Sequence, residues 1–233
     1  MPERILAIGA HIGDMDLAAG PYLAQNVLAG GESFLLALTP GERGHPRMPI
    51  LEYKKQKISE GTALASAIGA RFEVFEDQTD GMLLPDDGLA GRVAHLIRRF
   101  CPTTILAHWP NSIHSDHESA SRIAERANFL ADLPGWETSD DPDNARHSVA
   151  QLLYTDNWED AEGFEYDLVT PIGDQAYERW LSGIAQHAFA RGETYGFRYI
   201  DFYCAQMISR GCLSSLPRAV AFSTGVGRRV TQI

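Results

Sequence analysis

Short apolar runs alternate with helix-like stretches in the first part of the chain. Residues 4–10, RILAIGA, form an apolar run that ends in small residues, which is typical of a buried parallel strand. Residues 16–29 then place apolar side chains at helical spacing, and Gly30 and Gly31 end this pattern. The chain therefore begins with a predicted strand followed by a predicted helix.

The alternation continues through three more strands. These strands are predicted at 33–39, 71–75 and 103–107, with helices at about 50–68 and 87–100 between them. Right-handed crossovers place each connecting helix over the sheet. The pattern predicts an α/β fold with a single Rossmann-like, doubly wound, mostly parallel sheet flanked by helices.

The second half of the chain is less regular. Residues 131–148 are polar, acidic and rich in turn formers, which predicts a long acidic surface loop or a lid. A strand at 149–155, a helix at 173–190 and a strand at 218–222 are predicted to follow. We interpret this part as belonging to the same domain, so that residues 1–233 form one domain.

Charge and composition narrow the range of partners. The chain has 20 Lys and Arg against 31 Asp and Glu, a net charge of −11, which disfavours nucleic acids and anionic membrane surfaces as partners. An apolar stretch long enough for a signal peptide or a membrane span is missing from the sequence. Three cysteines without CxxC spacing argue against a disulfide framework. We therefore expect a cytoplasmic protein.

Two polar clusters follow the first and fourth predicted strands. One runs from His11 to Asp14, and the other, HSDH, runs from His114 to His117. In a doubly wound sheet these two strands are neighbours, and ligands bind in the crevice at their carboxyl ends. Two imidazoles and one carboxylate suit a tetrahedral zinc ion that keeps its fourth position for water. We therefore predict that His11, Asp14 and His117 bind Zn²⁺.

A dinucleotide site after the first strand is a competing hypothesis. Gly9 and Gly13 are four residues apart, and the GxGxxG pattern does not follow. An aspartate at the start of the helix would also repel a pyrophosphate. A single histidine in a turn is usually a surface or hydrogen-bonding group, but two clusters at two neighbouring strand ends favour a metal site.

The sequence around both clusters resembles the LmbE/PIG-L family of zinc-dependent N-deacetylases. The family's opening motif reads AHPDDE and its second motif reads HPDH, where this chain has AHIGDMD and HSDH. Looser similarity covers most of the chain and extends to LTPGERG at 38–44, to Lys57 and Glu60 on the family's R-x-x-E helix, to Asp80 and Gly81, and to ARGETYGFRYIDFY at 190–203, where Asp201 stands in place of the usual glutamate.

The resemblance implies a function and a set of roles. It implies hydrolysis of an acyl group from an N-acylated amino sugar or similar small molecule by a homo-oligomer, with His11, Asp14 and His117 as zinc ligands. His114 is expected to stabilise the oxyanion or protonate the leaving amine. Asp116 is expected to orient His114 and raise its pKa.

Substrate contacts are assigned to the loops that reach the crevice in such enzymes. We assign Glu42, Arg43 and Asp80 to substrate binding on this basis. The motifs around these three residues are less specific than the two metal motifs.

One position departs from the family pattern. The first aspartate of the family's DD pair is the general base, and this chain has Gly13 there. A general base typically supplies about 10²- to 10⁴-fold, while zinc alone lowers the pKa of its water to about 7, so hydrolysis could persist at a lower rate. We expect Glu42 or Asp116 to substitute rather than Asp16, which a helix would direct to another side.

The missing base leaves two alternatives open. The first is a zinc enzyme of altered chemistry, such as another C–N bond hydrolysis in small-molecule biosynthesis. The second is a homologue that binds a metal or a ligand without catalysis.

Overall fold

A computed structural model describes residues 3–136 and 145–225 of the chain. Within these residues seven strands form a single sheet: β1 Arg4–His11, β2 Glu32–Thr39, β3 Arg71–Val74, β4 Thr104–Ala107, β5 Gln151–Thr155, β6 Leu168–Pro171 and β7 Ala219–Ser223. The strand order is β3-β2-β1-β4-β5-β7-β6. Strands β1 to β5 pair in parallel, and β7 is antiparallel to both β5 and β6. The predicted mostly parallel sheet is confirmed.

Helices cover both faces of this sheet. They are α1 Asp14–Ala18, α2 Gly20–Leu28, α3 Ile50–Ile68, α4 Asp87–Phe100, α5 Ser115–Asp132, α6 Asp174–Ile184 and α7 Tyr199–Leu213. Side chains of α4 and α5 form one buried cluster with the sheet, and side chains of α1, α2, α3, α6 and α7 form the other. The predicted flanking of the sheet by helices is confirmed.

Strand β1 is apolar along most of its length because both faces of the sheet are buried there. Leu6 and Ile8 belong to the buried cluster on the α4 and α5 face, while Ile5 and Ala7 belong to the cluster on the opposite face. Successive side chains of a strand point to opposite faces, so a strand covered on both faces needs apolar residues at every position. This arrangement produces a continuous run instead of an alternating pattern.

Several predicted boundaries change in the structure. The single helix predicted at 16–29 is divided into two helices, α1 and α2. Pro21 lies in the first turn of α2, where a proline is favourable because the backbone N–H that it lacks would have no partner within the helix. Gly20 is needed there, since a Cβ atom would lie 2.6 Å from Cδ1 of Trp180. The helix predicted at 173–190 ends at Ile184.

Three elements have no counterpart among the predicted ones. Helix α5 begins within the HSDH cluster, helix α7 contains the aromatic segment near the C-terminus, and β6 is a four-residue edge strand whose residues are mostly half-buried. An edge strand has one partner and partial exposure, so its sequence carries a weak signal.

The predicted start of the loop at residue 131 is too early, because α5 continues to Asp132. Ala131 and Asp132 form the last turn of α5, and Ala131 is fully buried. The side chain of Arg146 bonds Asp132, and the N–H of His147 donates to the carbonyl of Ala131. Residues 137–144 lie outside the described residues. In the described part of the chain, no helix has the length and apolarity needed to cross a membrane.

Candidate active site

A cavity of about 570 Å³ opens at the carboxyl ends of the central parallel strands. Strands β1 and β4 are neighbours, with Leu6 opposite Ile105, so the two polar clusters predicted from sequence meet at this edge. The position is the topological switch point, where the chain turns to opposite sides of the sheet. Six of the residues predicted for the site line the cavity: His11, Asp14, Arg43, Asp80, His114 and His117.

The three predicted metal ligands converge on one carboxylate oxygen. His11 ends β1 and Asp14 begins α1, so one tight turn brings both to the cavity. Oδ2 of Asp14 lies 3.3 Å from Nδ1 of His11 and 3.5 Å from Nε2 of His117. Imidazole nitrogens with a carboxylate oxygen form a donor set that suits zinc. The residues present therefore fit the predicted ion.

Neighbouring residues enlarge the set of possible ligands. Among the described residues, three groups have ligand atoms that all lie within 4.8 Å of one another, and each combines one or two of the predicted ligands with neighbours: His11, His114 and His117; Asp14, His108 and His117; and His11, Asp80 and Asp116. His108 follows β4 directly, with its side chain fully buried. His108 is not among the ligands predicted from the sequence, although it stands at the carboxyl end of a central strand, which is the signal that could have identified it.

Asp160 joins two of these histidines from behind. Its fully buried carboxylate lies 2.7 Å from Nδ1 of His108 and 2.8 Å from Nδ1 of His117. A carboxylate accepts, so the proton of His117 must be on Nδ1, which leaves the Nε2 lone pair directed at Asp14. Asp160 lies in a short 3₁₀ helix, Trp158–Asp160, after β5. The sequence gives no local sign of its role.

Burial and these contacts shift the protonation of both histidines. Burial and the neighbouring His108 cation lower the pKa of His117 to about 4, so this imidazole is neutral at neutral pH, as a metal ligand must be. Burial also opposes a charge on His108, but the carboxylates of Asp160 and Asp14 outweigh it and raise the pKa of His108 to about 9. Asp160 therefore acts on both rings.

Asp116 does not orient His114 through its carboxylate, so the predicted role of Asp116 is wrong. Its oxygens accept the backbone N–H groups of Gly81 at 2.7 Å and Leu83 at 3.2 Å, and Oδ2 lies 3.2 Å from Nε2 of His11. Nδ1 of His114 instead accepts the backbone N–H of Asp116 at 3.2 Å. His114 is the N-cap of α5, and its ring turns back on the first turn of that helix.

Two of the three predicted substrate-binding residues, Arg43 and Asp80, line the cavity, and Glu42 does not. Oδ1 of Asp80 lies 3.1 Å from Nε2 of His11, and Oδ2 accepts the backbone N–H of Arg43. Half of the Arg43 side chain is exposed at the rim. Glu42 is not among the residues lining the cavity; it is 7% exposed and its carboxylate accepts the backbone N–H of Asp80. Glu42 therefore supports the loop that presents Asp80.

Gly13 has neighbours that leave no room for a side chain at this position. Its φ of +116° disfavours any side chain, and a Cβ atom there would lie 2.5 Å from Cζ of Phe189 and 3.3 Å from Nζ of Lys57. Lys57 lies over the Phe189 ring, with Nζ 4.1 Å from its centroid, and donates to the carbonyl of Ile12. Phe189 and Lys57 occupy the space that a side chain at position 13 would need.

Asp16 points away from the cavity, as the helix geometry predicts. One of its carboxylate oxygens accepts the N–H of Gly13, and the other lies 3.1 Å from Nε2 of the fully buried His187. Neither Asp16, Glu42 nor Asp116 lines the cavity.

A glutamate absent from the sequence prediction does line the cavity. Oε2 of Glu159 lies 3.6 Å from Nε2 of His117. Burial, with the negative charges of Asp14 and Asp160, raises the pKa of Glu159 to about 7. The cavity therefore holds a third carboxyl group besides Asp14 and Asp80.

The family model for PIG-L, described as GlcNAc-PI de-N-acetylase, matches residues 6–128, just over half of the chain. The chain belongs to the PIG-L family. The match includes the two clusters that meet at the cavity. Residues of β5, β7 and the segment that carries Glu159 and Asp160 lie beyond the matched region.

Two curated proteins resemble this PIG-L family member. It is 27% identical over 143 residues to a 4-oxalmesaconate hydratase of Pseudomonas putida, covering 58% of this chain and 55% of that one. It is 26% identical over 184 residues to a 1D-myo-inositol 2-acetamido-2-deoxy-alpha-D-glucopyranoside deacetylase of Catenulispora acidiphila, covering 66% and 60%. The matches thus span only 55% and 60% of the relatives' lengths.

A solved structure shows the same fold over nearly the whole chain. The 4-carboxy-2-hydroxymuconate hydratase of Pseudomonas putida superposes with a TM-score of 0.85 at 20% identity, covering 98% of both chains. Its similarity supports the fold of the PIG-L family member.

Proposed function

We propose that this protein is a metal-dependent amide hydrolase that removes an acetyl or other acyl group from the nitrogen of an amino sugar or similar small molecule. The observation that carries the proposal is the convergence of His11 Nδ1, Asp14 Oδ2 and His117 Nε2 at the cavity. Membership of the PIG-L family and the similarity to an acetamido-sugar deacetylase support this substrate class.

Zinc suits the proposed ligand set. When bound, a divalent ion of this kind polarises a carbonyl group and lowers the pKa of water. His11 keeps Nδ1 toward Asp14, because its Nε2 faces the carboxylates of Asp80 and Asp116. His117 keeps Nε2 toward Asp14, because its Nδ1–H donates a hydrogen bond to Asp160.

His114 is suited to hydrogen-bond the oxyanion. Its Nδ1 accepts the N–H of Asp116, so the proton of the neutral ring is on Nε2. The ring lines the cavity 4.9 Å from that of His117. With Nδ1 held by the backbone, Nε2–H is the group that can donate a hydrogen bond to the oxyanion.

A second candidate function is the addition of water to a double bond of an unsaturated acid. The observation that favours it is Gly13, because the carboxylate of a family deacetylase cannot be present there. The similarity to a hydratase at 27% identity supports this candidate. Both candidates use the same three ligands, and they differ in the electrophile that the cavity accepts.

One experiment separates these candidates. Zinc-loaded protein is incubated with a panel of N-acetyl and N-acyl amino sugars, with release of primary amine as the readout, and separately with unsaturated dicarboxylic and tricarboxylic acids, with loss of ultraviolet absorbance as the readout. Amine release that His117→Ala abolishes supports the hydrolase. Loss of absorbance without amine release supports the hydratase, and binding without turnover supports the non-catalytic alternative.

Cellular location and assembly belong to the same proposal. Cys101, Cys204 and Cys212 are all free thiols, which fits a reducing cytoplasm, and the net charge of −11 disfavours a nucleic-acid or membrane partner. A homo-oligomer rests on the family resemblance. Light scattering coupled to size-exclusion chromatography measures the assembly directly.

A further inference from the structure

The turn after β5 presents the carboxylate of Glu159 to the cavity. We propose that Glu159 accepts the proton of the attacking water, in place of the carboxylate that position 13 lacks. This inference rests on the proposed function to the extent that the cavity activates water. We choose Glu159 over the other carboxylates of the cavity because of its position and contacts, and not because of its pKa.

The carboxylates that line the cavity are those of Asp14, Asp80 and Glu159. Asp14 is engaged, because its Oδ2 accepts the backbone N–H of His11 at 2.7 Å and lies within 3.5 Å of three imidazole nitrogens. Asp80 is engaged as well, because one oxygen faces His11 and the other accepts the N–H of Arg43. Both oxygens of Asp80 are thus in contact with other groups, and Asp14 is itself one of the predicted metal ligands.

Glu159 has a different set of contacts. Among the residues that the structure describes, its single ion pair is with His117, at 3.6 Å from Oε2 to Nε2. Nε2 is the His117 atom that faces Asp14, so Glu159 is next to the point where the three predicted ligands meet. Its side chain is 23% exposed within the cavity wall. A carboxylate in this position can reach water at the ligands without being held by another group.

The backbone fixes Glu159 on both sides. Its N–H donates to the side chain of Asn157, and its carbonyl accepts the N–H of Ile113 and the hydroxyl of Ser112. Tyr203 donates its hydroxyl proton to the same Asn157 side chain, 3.2 Å away. The turn that carries Glu159 is thus tied to the loop before His114. A catalytic carboxylate needs such support to hold its geometry.

The proposed step balances as follows for an N-acyl amine. The carboxylate of Glu159 takes one proton from water as the water oxygen bonds the carbonyl carbon. The neutral carboxylic acid of Glu159 then gives that proton to the amide nitrogen as the C–N bond breaks, and the carboxylate is regenerated. The products are the free amine and the acid of the acyl group. His114 donates a hydrogen bond from Nε2 to the oxyanion throughout.

The test compares Glu159→Gln and Glu159→Ala with wild type and with Glu162→Gln, an exposed glutamate three residues away that serves as the control. We expect Glu159→Gln to lower kcat by about 10²- to 10⁴-fold, as loss of a general base does. Zinc content by elemental analysis and KM are expected to stay within about twofold of wild type, because Glu159 is not a ligand. Added formate is expected to raise the rate of Glu159→Ala by at least about tenfold, since it restores a carboxylate.

Two results would overturn the proposal. The first is a Glu159→Gln protein whose kcat is as high as that of Glu162→Gln. The second is loss of zinc from Glu159→Gln, which would make Glu159 a metal ligand.

The same variants distinguish failure of the proposed function from failure of this inference. If wild type hydrates unsaturated acids and releases no amine, the hydrolase proposal fails, and the effect of Glu159→Gln on hydration decides the role of Glu159. A zinc-loaded wild type that catalyses neither reaction overturns both proposals.

Discussion

The edge of the Phe189 ring lies against the Cα of Gly13, so close that a Cβ atom would be 2.5 Å from Cζ. The two residues are far apart in sequence, and Phe189 is 6% exposed in the buried cluster that also contains Met15 and Leu17. A side chain at position 13 would therefore overlap this ring. The family's carboxylate could be placed there only if Phe189 moved.

The first prediction concerns this contact. Gly13→Ala is expected to lower the free energy of unfolding by roughly 1–3 kcal/mol more than Gly30→Ala, the typical cost of overpacking a core. Gly30 is the matched control, because its φ is +88° and it has no neighbour within 4 Å of a Cβ atom. Urea denaturation of both variants measures the difference. Equal losses would show that backbone conformation alone makes Gly13 necessary.

A double variant isolates the contribution of the ring. In a Phe189→Ala background the added cost of Gly13→Ala is expected to fall to that of Gly30→Ala, because the steric overlap is gone. For the same reason Gly13→Asp in the native background is expected to lose stability instead of gaining hydrolytic activity. An active and fully stable Gly13→Asp protein would contradict this account.

The second prediction concerns the metal. His117→Ala is expected to reduce bound zinc from about one ion per chain to a small fraction of that, because three protein ligands become two. His95→Ala is the control, since His95 is on α4 and contacts Trp136 on the far face. Elemental analysis after dialysis against a weak chelator measures both. Equal zinc in the two variants would rule out His117 as a ligand.

The third prediction concerns Asp160, which accepts a hydrogen bond from His117, one of the predicted metal ligands. Asp160→Asn is expected to weaken zinc affinity by about 10- to 100-fold, as loss of a carboxylate behind a ligating histidine typically does. In wild type, one carboxylate oxygen of Asp160 faces Nδ1 of His108 and the other faces Nδ1 of His117. An asparagine amide is uncharged and has one oxygen, so it cannot accept both hydrogen bonds in this way. Asp201→Asn, exposed on α7, is the control. Competition titration with a zinc chromophore gives both affinities, and an unchanged affinity in Asp160→Asn would refute the role.

The fourth prediction concerns pH and a buried histidine behind the cavity. Burial opposes a charge on His187, but the carboxylates of Asp16 and Glu60 outweigh burial and raise its pKa above the ordinary 6.5. A raised folded-state pKa stabilises the protein fully below the unfolded value, and this stabilisation is lost as the pH rises through the folded value.

His187→Gln removes that dependence. The difference in unfolding free energy between wild type and His187→Gln is therefore expected to be larger at about pH 6 than at about pH 9. Urea denaturation at both pH values measures it in metal-free protein. A difference that is the same at both, or larger at high pH, would mean that His187 is not charged in the folded state.

The sequence by itself predicted every strand of the described sheet except β6, and the strand ends at which the candidate site lies. Apolar runs such as β1 and the helical repeat of α3 are local signals, since each reflects burial of consecutive residues. His11, Asp14 and His117 could be placed together because β1 and β4 are adjacent in a doubly wound sheet and their carboxyl ends share one edge. That inference needs strand order alone.

The tertiary structure alone decided which side chains meet at that edge. Asp160 reaches His117 from the turn after β5, Asp116 bonds His11 instead of His114, and Phe189 fills the space beside Gly13. These contacts join residues 43, 105 and 176 positions apart. Local periodicity reports burial and does not encode the approach of one side chain to another across the fold, so packing had to reveal them.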